Sequence, residues 1–258
     1  MTDYQVTVGV AAIRSEPDDD AMQVSQLLAG EVFHVEREQN GWGEGVSRHD
    51  GYRGWVAMEA LSAPVLIPTH TVSVLRTYVF SEPDLKSAPR FLISMNAKVS
   101  AGARSGKFVE AQRLGWVFES HLAPLGAHED DHAAVAERFV GTPYQWGGKE
   151  SLGLDCSGLV QTALERCGVL VPRDSGDQEA WAGAHWDEVD IDEELGGLQR
   201  GDLMFWPGHV GILTSPDTII HANAFHMLTV AEPVSRAVMR IAYRHAPVSG
   251  VFRARDNV

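Results

Sequence analysis

The first half of the sequence contains one short pattern twice, with a period of about 60 residues, which is longer than that of solenoid repeats. The segments GWVAMEALSAP (54–64) and GWVFESHLAP (115–124) share Gly-Trp-Val, a Leu seven residues after the Gly, and a closing Ala-Pro. The tripeptide SEP precedes each copy, at 15–17 and 81–83. The repeat therefore predicts two copies of one small domain.

Short β-strands are predicted within each copy. Strand-forming residues recur in EVFHVERE (31–38), GWGEGVS (41–47) and GYRGWVAM (51–58), and turn-forming residues separate these segments. The second copy has diverged further and contains a polar stretch, SAGARSGK. All-β modules of about 60 residues are marginal alone and gain stability from packing on a neighbour. We predict all-β domains at residues 1–64 and 65–125.

The pattern changes after Pro124, where helical periodicity begins. The segment LGAHEDDHAAVAERFVG predicts a helix that Asp130 or Asp131 caps and Gly141 ends. A second helix is predicted from Ser157 to Arg166, because good helix formers fill it and a glycine follows. These signals place a third domain at residues 126–258.

Strands are predicted after these helices. The segments GDLMFW, HVGILT and DTIIHA, between residues 201 and 222, predict successive strands punctuated by Gly-Asp and Pro-Gly. Weaker signals at MRIAYR (239–244) and VFRAR (251–255) suggest edge strands. The third domain therefore combines helices with a sheet.

Cys156 is the first candidate for chemistry, because the chain has only two cysteines and this one opens a predicted helix. Unsatisfied backbone N–H groups and the helix dipole favour a thiolate there, and the same N–H groups can stabilise an oxyanion. Cys167 lies about 16 Å further along the same helix, too far for a disulfide. A small buried hydrophobic residue is the alternative interpretation of Cys156.

Two histidines are candidate bases for this thiol. His209 begins the strand HVGIL and His221 ends DTIIHA. A hairpin turning through Thr214-Ser215-Pro216 would place His209 directly opposite His221, with Cβ atoms about 5 Å apart. His209 would then face the thiol while His221 orients it. A metal site of Asp155, His209 and His221 is an alternative, although we expect no metal and no cofactor.

Composition narrows the class of partner. A net charge of −14 over 258 residues opposes binding to nucleic acids or anionic membranes, because like charges repel. No apolar run approaches the length of a membrane helix. The N-terminal segment lacks a basic stretch before an apolar core, so we expect a cytoplasmic protein without a signal peptide.

The motifs PYQWGG, LDCSGLVQ, PRDS, GDLMFWPGHVGIL and IIHA resemble, in order and context, the NlpC/P60 papain-like cell-wall peptidases. The resemblance covers residues 130–255. It implies an α+β fold in which a helix carrying the cysteine packs on an antiparallel sheet. The two preceding β modules resemble bacterial SH3-like barrels.

The resemblance also implies roles for individual residues. It makes Cys156 the nucleophile, His209 the base and His221 the orienting residue. Tyr144 would line the oxyanion site, and Asp155 and Ser157 would touch substrate beside the nucleophile. In the first SH3-like domain, Glu31 and Tyr52 match residues that bind a substrate amine.

The full domain combination resembles γ-D-glutamyl-L-diamino-acid endopeptidases of the dipeptidyl-peptidase VI type. These cleave the γ-D-glutamyl–diamino acid bond of murein peptides with a free N-terminal L-Ala. A small peptide, L-Ala-γ-D-Glu-diamino acid, is therefore the expected partner. The alternatives are a hydrolase of intact wall, a non-catalytic peptidoglycan-binding protein, and a thiol acyltransferase acting on lipids. The sequence indicates neither the diamino acid nor the oligomeric state.

Overall fold

The computed structural model describes residues 2–192 and 194–255 and divides into two compact units. The first unit comprises Met1–Ala127 and Trp146–Ser151, and the second comprises His128–Gln145 and Leu152–Val258. Among the described residues, none of the helices combines the length and apolarity needed to cross a bilayer. The domain boundaries at residues 64 and 125 stay a prediction.

The first unit is built from β-strands. In chain order they are β1 (Thr2–Val6), β2 (Val10–Arg14), β3 (Gln23–Leu28), β4 (Val32–Gln39), β5 (Trp42–Ser47), β6 (Arg53–Ala57), β7 (Leu61–Ser62), β8 (His70–Val72), β9 (Arg76–Phe80), β10 (Pro89–Ser94), β11 (Lys98–Val99), β12 (Ala101–Ser105), β13 (Phe108–Ala111), β14 (Gly115–Phe118), β15 (Leu122–Pro124) and β16 (Lys149–Glu150).

The two sequence repeats fold in the same order of elements. The first forms a seven-stranded sheet, β3-β2-β6-β5-β4-β1-β7, and the second forms the sheets β10-β9-β14-β13-β12 and β11-β8-β15. In each copy a single 3₁₀ turn, Met58–Ala60 or Glu119–His121, joins the GWV strand to the short strand that follows. The internal repeat predicted from sequence is therefore confirmed.

The glycine of each GWV motif has a packing reason. Gly54 has φ +159° and Gly115 has φ +140°, which L-residues with side chains rarely adopt. A Cβ at Gly54 would lie 2.7 Å from the Arg14 carbonyl oxygen, and one at Gly115 would lie 2.4 Å from that of Phe80. Each glycine thus allows its strand, β6 or β14, to lie close to the backbone of its paired neighbour, β2 or β9.

The second unit mixes helices and strands. Its elements in chain order are α1 (His132–Glu137), β17 (Gly153–Leu154), α2 (Cys156–Arg166), α3 (Ser175–His185), β18 (Asp187–Glu188), β19 (Leu203–Trp206), β20 (His209–Ser215), β21 (Thr218–Asn223), β22 (Leu228–Pro233), α4 (Val234–Arg244) and β23 (Gly250–Arg253).

An antiparallel six-stranded sheet, β18-β23-β19-β20-β21-β22, forms the centre of this unit, and α2 packs against β20 and β21. The apolar residues of α4 join a core with Met204, Trp206 and Leu213 from the sheet. The predicted α+β class, with a cysteine-bearing helix on an antiparallel sheet behind SH3-like modules, is confirmed.

Three local predictions differ from the structure. MRIAYR lies in helix α4 rather than in an edge strand, because Val234, Ala237 and Ile241 recur at helical spacing and are buried together. VFRAR contributes to β23, but β23 lies between β18 and β19 and is not an edge. Helix α1 ends at Glu137, before Gly141.

Candidate active site

The start of α2 places Cys156 in its first turn. Asp155 is the N-cap residue, with extended backbone (φ −98°, ψ −177°), and its Oδ1 accepts a hydrogen bond of 2.8 Å from the Gly158 N–H. Such a cap satisfies one of the four N–H groups that every helix start leaves unpaired. Cys156 follows directly and is 8% exposed.

A buried guanidinium anchors this helix start, and the sequence analysis did not anticipate it. Arg173 donates to Asp155 Oδ1 at 2.9 Å, to Asp155 Oδ2 at 2.7 Å and to Ser157 Oγ at 2.8 Å. Its side chain is 1% exposed. The pair is bidentate, which fixes Asp155 and Ser157 on either side of the cysteine. Arg173 lies in the PRDS motif, so the basic residue of that motif could have been predicted to pair with a carboxylate near the cysteine.

The Cys156 thiol lies against the first residues of β20. The backbone N–H groups of Val210 and Ser157 both bond to the sulfur and favour its anion, as does the Arg173 charge. Burial opposes them and, with the Asp155 carboxylate adding to it, raises the pKa of Cys156 to about 12. The helix start was expected to lower this pKa, but desolvation prevails, so the thiol is protonated at neutral pH.

The imidazole rings of His209 and His221 are in hydrogen-bond contact, although the two residues are not directly paired across the strands. His209 Nε2 lies 2.9 Å from His221 Nδ1. The predicted register was wrong, because Ile212 pairs with Ile220, which places Gly211, not His209, opposite His221. The turn is shorter than expected, with Ser215 paired to Thr218, and an irregularity between Leu213 and Ser215 changes the register by one residue but does not restore the predicted pairing.

The two imidazoles therefore meet diagonally across β20 and β21. Gly211 leaves the necessary space, since a Cβ there would lie 3.2 Å from His221 Cβ and 2.7 Å from Ile219 Cδ1. Diagonal neighbours on one sheet face lie within reach of long or aromatic side chains. The glycine of HVGIL is thus part of the site.

The carboxylate of Glu232, on the next strand β22, contacts His221. The sequence analysis did not predict this contact. His221 Nε2 lies 2.7 Å from Glu232 Oε1, and Arg240 of α4 pairs with the same carboxylate. His221 pairs with Val230 in the β21–β22 ladder, so Glu232 is again a diagonal neighbour. The acidic residue in LTVAEP, the strand-forming segment that follows IIHA, was the signal that could have revealed it.

These contacts fix the position of each proton. The pKa of Glu232 is lowered by its hydrogen bond to His221 and by the nearby cations, which outweigh burial, so the carboxylate is ionised and can only accept. His221 must then carry its proton on Nε2 and accept at Nδ1. His209 must donate from Nε2, which leaves His209 Nδ1 as the unprotonated nitrogen.

Burial keeps both imidazoles neutral. It lowers the pKa of His209 to about 3, with a further contribution from His221, and it lowers the pKa of His221 against the opposing effect of Glu232. His221 is fully buried and His209 is partly exposed. This part of the structure therefore combines a neutral thiol with a neutral imidazole whose tautomer is set by its contacts.

Tyr144 lies within electrostatic reach of this group. Burial raises the pKa of Tyr144 to about 12, and the Cys156 and Asp155 charges add to the rise. Its backbone N–H bonds to the Met227 carbonyl at 3.0 Å, and Tyr144 forms a bridge with Leu154 just before the capping residue. The phenol is therefore protonated and can donate a hydrogen bond.

Glu31 and Tyr52 belong to the first unit. Glu31 is 3% exposed; its Oε1 accepts from Lys149 Nζ at 3.1 Å and its Oε2 from the Leu28 N–H at 2.9 Å. Tyr52 is half-buried against the core of the first repeat, and its backbone carbonyl accepts from the Ser47 N–H. The structure gathers the other six predicted residues in the second unit.

The alternative metal site is not supported by this arrangement. Asp155 holds Arg173 with both oxygens, and both ring nitrogens of His221 are engaged by His209 and Glu232. A metal would have to replace these partners, one of which is a buried guanidinium. The same residues instead suit a thiol with a base and an orienting chain.

Comparison with known families agrees with both units. The NlpC/P60 family matches residues 141–246, and the bacterial dipeptidyl-peptidase SH3 domain matches residues 13–61. Dipeptidyl-peptidase 6 of Lysinibacillus sphaericus is 30% identical over 237 residues, which are 83% of this chain and 85% of that protein. The γ-D-glutamyl-L-lysine dipeptidyl-peptidase of Bacillus subtilis is 28% identical over 246 residues, with 84% and 78% covered.

A crystal structure of an NlpC/P60 family protein from Bacillus cereus has the same fold. It superposes with a TM-score of 0.78 at 19% identity and covers 98% of this chain and 99% of its own. The family match and the relative that is 30% identical over most of both chains show the family. The chain therefore belongs to the NlpC/P60 family of cysteine peptidases and carries an N-terminal bacterial dipeptidyl-peptidase SH3 domain.

Proposed function

We propose that this peptidase hydrolyses the γ-D-glutamyl–diamino acid bond of small murein peptides that have a free N-terminal L-Ala. The observation that supports the proposal is that the Cys156 thiol, at the start of α2, bonds to the Val210 N–H next to His209, which in turn contacts His221 and, through it, Glu232. The name of the Bacillus subtilis relative, a γ-D-glutamyl-L-lysine dipeptidyl-peptidase, supports the bond specificity.

In the proposed reaction His209 acts first as a general base. Because both groups are neutral at rest, His209 Nδ1 removes the Cys156 proton as the sulfur attacks the γ-glutamyl carbonyl carbon. The imidazolium that forms donates through His221 to the Glu232 carboxylate, which stabilises its charge. Proton transfer of this kind contributes typically about 10²–10⁴-fold to the rate.

The oxyanion of the tetrahedral intermediate would accept hydrogen bonds from the Cys156 N–H and from the Tyr144 hydroxyl. Both are donors, since the helix start leaves the N–H unpaired and the raised pKa keeps the phenol protonated. The His209 imidazolium then protonates the departing amine. Water, deprotonated by His209, hydrolyses the thioester and regenerates the thiol.

Glu31 and Tyr52 are proposed to bind the free amine of the substrate, and Asp155 and Ser157 to contact substrate beside the nucleophile. A carboxylate as buried as Glu31 requires a cation, and it already holds the ammonium group of Lys149. This pairing supports its capacity to balance a primary amine. The Asp155 carboxylate likewise pairs with Arg173, so a substrate ammonium would have to compete with a bound cation at either carboxylate.

Hydrolysis of intact wall is the second candidate function. The peptidoglycan endopeptidase RipB of Mycobacterium tuberculosis is 34% identical over 117 residues, but these cover 39% of this chain and 45% of RipB. That match favours shared chemistry, whereas the relatives that also span the SH3-like part are named dipeptidyl-peptidases. A non-catalytic wall-binding protein is disfavoured by the presence of Cys156 at the start of α2 together with the linked His209, His221 and Glu232.

The test compares substrates and cysteine variants. L-Ala-γ-D-Glu-diamino acid, with L-lysine or meso-diaminopimelate, is incubated with wild type, Cys156→Ala and the control Cys167→Ala, and the released diamino acid is quantified. We expect cleavage by wild type and Cys167→Ala only, and no release of peptide from murein sacculi. Equal cleavage by wild type and Cys156→Ala would refute the proposed nucleophile, and solubilisation of sacculi would favour the second candidate.

We further propose that the protein acts in the cytoplasm, where it would recycle wall peptides. Cell fractionation with an antibody to the native protein tests this, and recovery in the culture medium or wall fraction would contradict it.

A further inference from the structure

The last elements of the second unit carry an excess of positive charge. Residues 218–255 contain five arginines and one acidic residue, Glu232, whereas Asp and Glu outnumber Lys and Arg by 35 to 21 in the whole chain. Helix α4 carries three of these arginines, Arg236, Arg240 and Arg244, at intervals of four residues, so they follow one side of the helix. This part of an acidic protein therefore presents a cationic surface.

Two of these arginines lie against one aromatic ring. The guanidinium carbons of Arg240 and Arg244 lie 4.5 and 5.0 Å from the centroid of the Phe225 ring, which is in the turn between β21 and β22 and is 52% exposed. Contact with a ring face stabilises a guanidinium group and leaves its N–H groups able to bind a carboxylate. The ring thus gathers two cations at this turn.

The two arginines differ in what they bind. Arg240 pairs with Glu232, which also contacts His221. Arg244 is exposed, and within the described part of the chain no carboxylate forms an ion pair with it. Like charges four residues apart on a helix repel each other, and Glu232 pairs with only one of the two. The charge of Arg244 therefore favours an anion from outside the chain.

These cations lie at the end of the sheet where His209 begins β20. Because the strands are antiparallel, β21 ends and β22 begins at the same end. The end of α4 reaches it too, since His245, directly after Arg244, donates from Nε2–H to the Pro207 carbonyl oxygen at 2.7 Å. Burial is the main cause of the lowered pKa of His209, and the charge of Arg240 contributes to it.

In the proposed reaction the leaving diamino acid lies beside His209. This imidazole protonates the departing amine, so the amine must come within hydrogen-bond reach of it. The side chain of L-lysine ends in an ammonium group, whereas that of meso-diaminopimelate ends in a carbon that bears both an ammonium group and a carboxylate. A cationic surface repels the first and can pair with the carboxylate of the second.

We propose that Arg244 binds the distal carboxylate of meso-diaminopimelate and so determines which diamino acid the enzyme accepts as its leaving group. The inference rests on the proposed function. The guanidinium fork of Arg244 matches a carboxylate with two parallel hydrogen bonds, and the Phe225 ring orients that fork. The Bacillus subtilis relative is named for L-lysine, and the proposal gives this chain a different preference.

The experiment compares L-Ala-γ-D-Glu-meso-diaminopimelate with L-Ala-γ-D-Glu-L-lysine on the full-length protein. Steady-state kinetics give kcat/KM for each peptide, and isothermal titration calorimetry with Cys156→Ala gives the affinity of each uncleaved peptide. We expect both measurements to favour the diaminopimelate peptide at least about tenfold. Arg244→Gln, alone and combined with Cys156→Ala, should reduce either preference to about twofold or less, mainly through KM.

The matched control is Arg236→Gln, an exposed arginine of the same helix eight residues before Arg244, which should keep the wild-type preference. Arg244→Glu should prefer the lysine peptide, and circular dichroism checks that each variant folds. Equal affinities of Cys156→Ala for the two peptides, or a preference that Arg244→Gln leaves unchanged, would overturn the inference. Cleavage of neither peptide by wild type would instead refute the proposed function, and the affinities would still decide the role of Arg244.

Discussion

Two diagonal contacts and one ion pair connect His209, the proposed base, to helix α4. His209, His221 and Glu232 come from three adjacent strands, and each reaches its neighbour two residues away from the directly paired position. An ionised carboxylate at the end of such a row determines the tautomer of both imidazoles. The chemistry at His209 therefore depends on a residue that does not contact the reacting atoms.

Glu232→Gln tests this dependence. The glutamine amide can donate to His221 Nε2, which would reverse both tautomers and place a proton on His209 Nδ1. We expect kcat to fall about 10–100-fold with little change in KM, because Glu232 positions the base and does not contact substrate. Steady-state kinetics on the tripeptide measure this.

The matched control for Glu232→Gln is Glu188→Gln, an exposed carboxylate in β18 of the same unit. It should leave kcat unchanged. Nitrogen-15 chemical shifts of the histidine rings provide an independent readout, since they report which nitrogen is protonated. If Glu232→Gln leaves both kcat and those shifts as in wild type, Glu232 does not set the tautomers.

The SH3-like strands depend on one glycine in each copy. Gly115→Ala places a Cβ 2.4 Å from the Phe80 carbonyl oxygen at a strained φ, so we expect the free energy of unfolding to fall by about 3 kcal/mol. The control is Gly106→Ala, with φ +59° and no atom within 4 Å of the new Cβ, which should cost about 1 kcal/mol. Urea denaturation compares the two, and equal losses would exclude the close approach of β14 and β9 as the reason.

Buried neutral histidines make the stability of the whole molecule depend on pH. Burial lowers the pKa of His209, His221 and His132 in the folded state below the ordinary value of 6.5. The unfolded chain therefore binds more protons below pH 6.5, and stability falls as the pH falls from 6.5 towards the folded pKa. Each such group contributes up to about 1.4 kcal/mol per pH unit within this window.

Urea denaturation at several values between pH 7 and 5 measures this effect. His132→Asn removes one of the three groups at a position outside the proposed catalytic residues, where the imidazole Nε2–H donates to the Gly201 carbonyl oxygen, 2.7 Å away. Its stability should decline less steeply with acid than that of wild type. Parallel curves for the two proteins would show that His132 does not contribute.

Much of the architecture could be predicted because it depends on motifs, helix caps and strand patterns formed by residues close together in sequence. The repeated GWV motif, the capping Asp155 before Cys156 and the strands from Leu203 to Asn223 are encoded by residues close together in sequence. The spacing of Val234, Ala237 and Ile241 also encoded α4, although strand-forming residues between them suggested a strand.

The sequence by itself determined that a cysteine begins a helix, that two histidines lie on neighbouring strands, and that a small β module occurs twice. Only the tertiary structure decided the strand register, the partners Arg173 and Glu232, and the direction in which the pKa of the thiol moves. Helix caps and strand alternation are set by neighbours within a few residues. Register, burial and ion pairs depend on segments that are distant in sequence, and their energies exist only after the chain has packed.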